Sequence, residues 1–179
     1  MENTWVVLTS DHGEMFDRGI IGHTTEALYQ PLVRIPLLIF EPGRQSREDV
    51  QTPTSAVDVL PTLAHLTGHA IPDWAEGTLL PPYATGSPDP NRAVCAVRAV
   101  KTAQNAALTR ASTMLVRGPY KLLYYFGYQD HQINELTKLF DVQADPEEQV
   151  DLFPSHMRLA MELLGELKAK VQEANQPYL

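Results

Sequence analysis

Cysteine is almost missing from these 179 residues: Cys95 stands alone, so neither an intrachain disulfide nor a thiolate metal cluster can form. Basic residues are also scarce. Fourteen Lys and Arg stand against 22 Asp and Glu, for a net charge of −8. A broad footprint for nucleic acid or an anionic membrane needs concentrated Lys and Arg, so neither partner is expected. A small anionic substrate stays compatible, because one bound cation can reverse the local field. No apolar run approaches the ~20 residues of a membrane span. Met1–Glu2–Asn3–Thr4 leads into a strand-like segment without a signal-peptide pattern, and a cytoplasmic setting is the expectation. No internal repeat is visible. What remains is a globular composition, 44% hydrophobic and 20% charged, long enough for one domain or a core with a small subdomain. Fourteen prolines will divide it into short elements.

Trp5–Val6–Val7–Leu8–Thr9 is apolar and β-branched without alternation, the pattern of a strand buried on both faces. It ends in Ser10–Asp11–His12–Gly13, at the strand end where ligands bind in open α/β sheets. Residues 14–30 read as loop with a helical turn, and Arg34–Phe40 as a second buried strand stopped by Glu41–Pro42–Gly43. A helix is expected from Asp58, with Pro61 in its first turn, Leu60, Leu63, Ala64 and Leu66 facing the core, and Gly68 as its cap. The proline-rich stretch 71–92 holds the expected boundary, dividing the chain into 1–80 and 81–179. Beyond it, Val94–Val100, Ser112–Arg117, Lys121–Phe126 and Lys138–Val142 are short β-prone runs, with Gly118–Pro119 as a tight connection. Ser155 would cap a last helix whose Met157, Ala160, Met161, Leu164, Leu167 and Val171 recur at helical spacing. The expected fold class is therefore α/β, ending in a four-stranded antiparallel sheet with one helix on its face.

Asp11 and His12 could both reach one cation if the strand end turns sharply, and Gly13 would let backbone approach closely there. An isolated Asp-His-Gly is more often a plain turn with a surface histidine. His23, eleven residues after His12, would by itself more often be an ordinary loop residue. Arg34, before a strand, would more often be a structural ion-pair partner.

Their combination changes the weighting. Thr9–Met15, then Gly22–His23, then Arg34–Ile39 is similar to the metal-binding stretch of the sulfatase family, within the alkaline phosphatase superfamily. Val57–Leu63 with Thr67–Gly68 resembles the family's next helix. Gly118–Leu123 and Lys138–Glu148 resemble its C-terminal sheet and closing D-x-x-x-D-P-x-E signature, with Asp151–Leu152 where that signature continues. Four blocks in the right order cover most of the chain.

The resemblance implies the later part of an alkaline-phosphatase-like α/β sandwich (1–80) followed by a C-terminal subdomain (81–179). It implies hydrolysis of sulfate esters, with a small anionic ester as substrate. Asp11 and His12 match the family's later pair of metal ligands, and Ca²⁺ is expected first, with Mn²⁺ or Zn²⁺ as alternatives. His23 stands near a family lysine that contacts sulfate or leaving-group oxygen. Histidine there can donate a proton near neutral pH, whereas lysine mainly contributes fixed charge. The family's nucleophile, a Cys or Ser oxidised to formylglycine within C/S-x-P-x-R, has no counterpart here. Cys95 lacks the following proline and arginine spacing, and Pro88–Asp89–Pro90–Asn91–Arg92 has proline at the nucleophile position. The chain is accordingly expected to be a C-terminal portion, inactive alone and inclined to form a homodimer. Phosphonate monoester or phosphodiester hydrolysis, or a non-catalytic role on the same scaffold, are the competing expectations.

Overall fold

The first backbone pairing joins Val6–Thr9 (β1) to Leu37–Phe40 (β2) in an antiparallel ribbon, with Val6 opposite Phe40 and Leu8 opposite Leu38. The computed structural model describes residues 2–87, 89–100, 106–128 and 135–179; Met1 and Pro88 lie outside them. Two compact units are formed, one by Met1–Asp11 with Ile35–Val94, the other by His12–Arg34 with Cys95–Leu179. No helix among the described residues is long and apolar enough to cross a membrane.

In the first unit the ribbon departs from its expected burial. Leu8, Leu38 and Phe40 are 55%, 45% and 48% exposed. Among the described residues the sheet has two strands, so one face of the ribbon lacks a covering layer, and an apolar run alone does not count layers. The helix expected from Asp58 begins as a 3₁₀ turn, Ala56–Asp58, and continues as α2, Val59–Leu66; α1 is the short Gln30–Val33. Gly68, at φ 72°, ends α2 as expected.

The inward face of α2 was the expected one only in part: Leu63, Ala64 and Leu66 are half-buried. Leu60 is 41% exposed, while Pro61, Thr62 and Asp58 are buried. The reason is a polar hub. Asp58 accepts two hydrogen bonds from the Arg92 guanidinium, at 2.6 and 2.8 Å, and others from the N–H groups of Ser55 and Thr78, at 2.8 and 2.9 Å. Thr62 Oγ1 donates to the Asp58 carbonyl and accepts from the Leu80 N–H, both at 2.8 Å. These bonds draw the 77–80 backbone onto this side of the helix. Burial alone would raise the Asp58 carboxyl, but Arg92 and the two backbone donors outweigh it and hold it below its ordinary value.

The second unit is built on a sheet in the order β3 (Val94–Ala99), β4 (Ala111–Arg117), β5 (Tyr120–Phe126), β6 (Glu135–Asp141). The last three are antiparallel neighbours in simple meander order, and the four runs lie within a few residues of their expected bounds. Period-2 alternation gives the sheet two apolar faces. Leu115, Leu122 and Leu139 share one face and are fully buried. On that side α3, Met157–Asn175, brings Ala160, Leu163, Leu164 and Leu167 to β4 and β5.

Met157 and Met161, expected in the stripe, are 57% and 53% exposed. The helix is rotated so that Leu163 packs in their place. Ser155 does not cap it either. The N-cap is His156, and the Ser155 hydroxyl turns back to the Leu152 carbonyl at 3.2 Å.

The opposite face carries Met114, Leu123 and Phe140, which pack with Met15, Ala27, Leu28, Tyr29 and Leu32. That contact places residues 12–34 with the C-terminal sheet, so the expected single boundary near residue 80 differs from the observed division. Five buried apolar side chains between Met15 and Leu32 need a covering surface, and the sheet supplies it.

Candidate active site

β1 delivers the chain to Ser10 and Asp11, both at the surface of the first unit. The Ser10 hydroxyl donates to Asp11 Oδ1 at 3.4 Å. His12 begins the segment that belongs to the second unit. From there the backbone is held tightly. The Gly13 and Glu14 N–H groups donate to the Leu32 and Pro31 carbonyls at 2.8 and 3.1 Å. A Cβ on Gly13 would stand 2.0 Å from the Pro31 carbonyl oxygen, so no other residue fits this crossing without moving backbone.

Met15 and Gly22 then form an antiparallel bridge, with N–H to carbonyl distances of 3.3 and 3.0 Å. Met15 is completely buried and anchors it. Residues just outside an antiparallel bridge face each other, and here they are Glu14 and His23. His23 Nδ1 lies 3.1 Å from Glu14 Oε2. The His12 ring sits against the His23 ring, with centroids 4.3 Å apart and planes tilted by 35°. One ring nitrogen from each histidine and a Glu14 carboxylate oxygen lie within 4.8 Å of one another. His12 Nδ1 is 2.8 Å from the Gly13 carbonyl, which assigns the proton to Nδ1 and the lone pair to Nε2.

The closing signature fastens this segment from behind. Glu148 is buried, pairs with the buried Lys121 at 2.8 Å, and accepts the Gln30 N–H at 2.6 Å. Burial pushes the Lys121 ammonium down to about 8, against the opposing pull of Glu148. Arg18 lies over the Tyr29 ring at 4.4 Å and donates to the Glu147 carbonyl and to Asp17. Arg18 and Glu148, with φ near 53° and 51°, both occupy the left-handed region that side chains disfavour. Asp141 and Asp151 are used locally, each accepting two backbone N–H bonds. The acidic residues of the signature are therefore brackets for backbone, and Glu148 ties them to the segment bearing the histidines.

Of the residues singled out from sequence, His12 and His23 are brought into ring contact. Asp11 stands next to His12 in sequence, at the end of the first unit. Arg34 ends α1, its N–H bonded to the Gln30 carbonyl at 2.9 Å, with its side chain exposed. Arg92 serves the Asp58 hub, which accounts for its presence after the Pro-Asp-Pro run. Glu14 was not expected as a site residue. The hints that the chain turns back there were Gly19, in the turn closed by the Ile20 N–H to the Asp17 carbonyl at 2.8 Å, and Gly22 directly before His23.

The model of the family described as Sulfatase matches residues 1–69. The ulvan-active sulfatase of Formosa agariphila is 31% identical over 96% of this chain and 33% of its own length. The uncharacterized sulfatase YidJ of Escherichia coli K12 is 42% identical over 42% of this chain and 15% of its own. The crystal structure of yidJ from Bacteroides fragilis superposes with a TM-score of 0.77 at 22% identity, over 99% of this chain and 37% of that one. The chain thus spans about a third of the length of the ulvan-active relative.

Proposed function

Because this chain belongs to the sulfatase family, as the part toward the C-terminus, we propose that it supplies the later half of the active site of a metal-dependent hydrolase of sulfate esters. The observation that carries the reading is the convergence of His12, Glu14 and His23 immediately after Asp11, in a segment clamped by Gly13, the Met15–Gly22 bridge and Glu148.

Asp11 and His12 are the residues that would hold a divalent cation. One carboxylate and one imidazole fit part of a Ca²⁺ shell of six to eight donors, and fit Mn²⁺ or Zn²⁺ more fully. Such an ion, when bound, would offset negative charge on the sulfuryl oxygens. His23 would hold an ester oxygen or give a proton to the leaving group, through the ring nitrogen not turned to Glu14. Glu14 keeps that ring in one orientation. The attacking group would come from outside these residues, since no C/S-x-P-x-R motif occurs among the 179. The isolated chain is therefore expected to be inactive.

A chimaera tests this reading. The matching third of the ulvan-active sulfatase would be replaced by this chain, and sulfate release from an aryl sulfate measured with Ca²⁺ or Mn²⁺. Expected is metal-dependent release that His23→Ala abolishes. A folded chimaera without release, or one cleaving a phenylphosphonate ester instead, would overturn the assignment.

A further inference from the structure

The three groups around His23 form a donor set of a different character from the Asp11–His12 pair. We propose that His12, Glu14 and His23 together form a site for a borderline transition ion, Zn²⁺ first, that does not use Asp11.

Four observations lead there. The donors are two imidazole nitrogens and one carboxylate oxygen within 4.8 Å of one another, the type and number found in zinc sites that keep one position open. Donors of this kind select Zn²⁺, Co²⁺ or Ni²⁺ over Ca²⁺, which prefers a shell of oxygens. The His12 Nδ1 proton is taken by the Gly13 carbonyl at 2.8 Å, the outer bond that fixes the tautomer of ligating histidines. Finally, the backbone beneath is fixed by the Met15–Gly22 bridge and the buried Met15, while the His23 and Glu14 side chains are 53% and 38% exposed. The backbone is held by hydrogen bonds, and the exposed side chains can turn the short distance needed to close on an ion about 2.1 Å from each donor.

Occupation would have a consequence for the same residues. An ion held by both histidines engages His12, which the hard cation also requires, and His23, which is assigned to substrate. Zn²⁺ here and Ca²⁺ at Asp11–His12 are mutually exclusive. The site itself stands on geometry and does not depend on the ester that is cleaved.

The test is direct binding. Chelator-stripped chain is titrated with Zn²⁺ by calorimetry near neutral pH, and with Co²⁺ followed by its visible absorption. Expected is one equivalent of Zn²⁺ and a low-symmetry Co²⁺ spectrum that Zn²⁺ erases. Glu14→Gln and His23→Ala should each lower affinity by roughly tenfold or more. Asp11→Asn should leave Zn²⁺ affinity unchanged while weakening any Ca²⁺ binding, which separates this site from the hard-cation reading. Circular dichroism of each variant establishes that the fold is kept. Absence of stoichiometric Zn²⁺ binding would overturn the proposal. Equal losses in Asp11→Asn and Glu14→Gln, or a stoichiometry governed by His65, His69 or His156, would do so too.

Discussion

The two units bury ion pairs of opposite design. In the first, Asp58 is fully enclosed, but its partner Arg92 keeps 27% of its side chain in solvent, and two backbone N–H groups share the hydrogen bonding. In the second, Lys121 and Glu148 are both inaccessible. The apolar content divides the other way. The second unit encloses Leu115, Leu122 and Leu139 completely, whereas the first leaves Leu8, Leu38 and Phe40 half in water. A well-covered sheet can host a costly closed pair where a loop must be fixed. A sparsely covered ribbon relies on a polar hub that stays partly wet. The difference predicts where substitutions hurt.

The largest effect should come from the closed pair. Lys121→Met leaves the Glu148 carboxylate buried without its cation, and a loss of about 3–5 kcal/mol is expected in urea unfolding. Adding Glu148→Gln removes the orphaned charge and keeps an acceptor for the Gln30 N–H, so the double variant should recover most of that loss. A double variant as unstable as the single one would show that the pair matters for more than its charge. Next comes apolar packing. Leu122→Ala should cost about 2–4 kcal/mol through transfer and cavity terms, against under about 0.5 kcal/mol for Leu38→Ala on the exposed ribbon.

The wet hub should respond less, and with pH. Asp58→Asn removes the charge but keeps the shape, and Arg92 can still reach water, so a loss of about 2 kcal/mol is expected at neutral pH. The folded Asp58 carboxyl lies below its ordinary value of 3.8. Its contribution is therefore fully present above that value and disappears as pH falls through the folded one. Wild type and variant should converge in stability on acidification below the ordinary range. A gap that stays constant with pH would mean that the hub is held by packing and not by ionisation.

The same contrast explains what could be read from sequence. The C-terminal strands were legible because they are β-prone runs bounded by Gly118–Pro119 and polar turns, and the two central ones, β4 and β5, are covered on both sides as their composition asks. The face of α2 was legible only in part, because counting Leu60, Leu63 and Leu66 favours an apolar side, while the hydrogen bonds of Asp58 and Thr62 turn the helix so that Leu60 is exposed. For α3, Met and Leu read alike in a periodic pattern, and only packing distinguishes Met161 from Leu163. At the site, His12 and His23 were visible as residue types after a strand end. Glu14 was not, because its role depends on the Met15–Gly22 bridge, and the short turn at Asp17–Arg18–Gly19 that permits it carries no strand pattern on either side. The signature Asp145–Pro146–Glu147–Glu148 was legible as a pattern, but its work, reaching back to Gln30 and Lys121, spans more than a hundred residues in one case.

The smallest effect on stability, and the sharpest on behaviour, should come from the ribbon. Val6 pairs with Phe40 and Leu8 with Leu38, and residues two apart on a strand share a face, so Leu8, Leu38 and Phe40 form one apolar stripe. They are 55%, 45% and 48% exposed, on a sheet whose described strands number two. Such a face, with strand edges beside it, is prone to pair with another chain. Concentration-dependent association of this chain is expected, with a two-fold dimer as the simplest closed form. Leu38→Lys and Phe40→Lys should each shift sedimentation toward monomer while moving the unfolding midpoint little, because neither side chain is enclosed. The Leu122→Ala variant should do the reverse, losing stability while keeping the association of the folded chain. If both ribbon variants sediment as the wild type does across low micromolar concentrations, the stripe is not an interface, and half-buried apolar residues on this ribbon are ordinary surface.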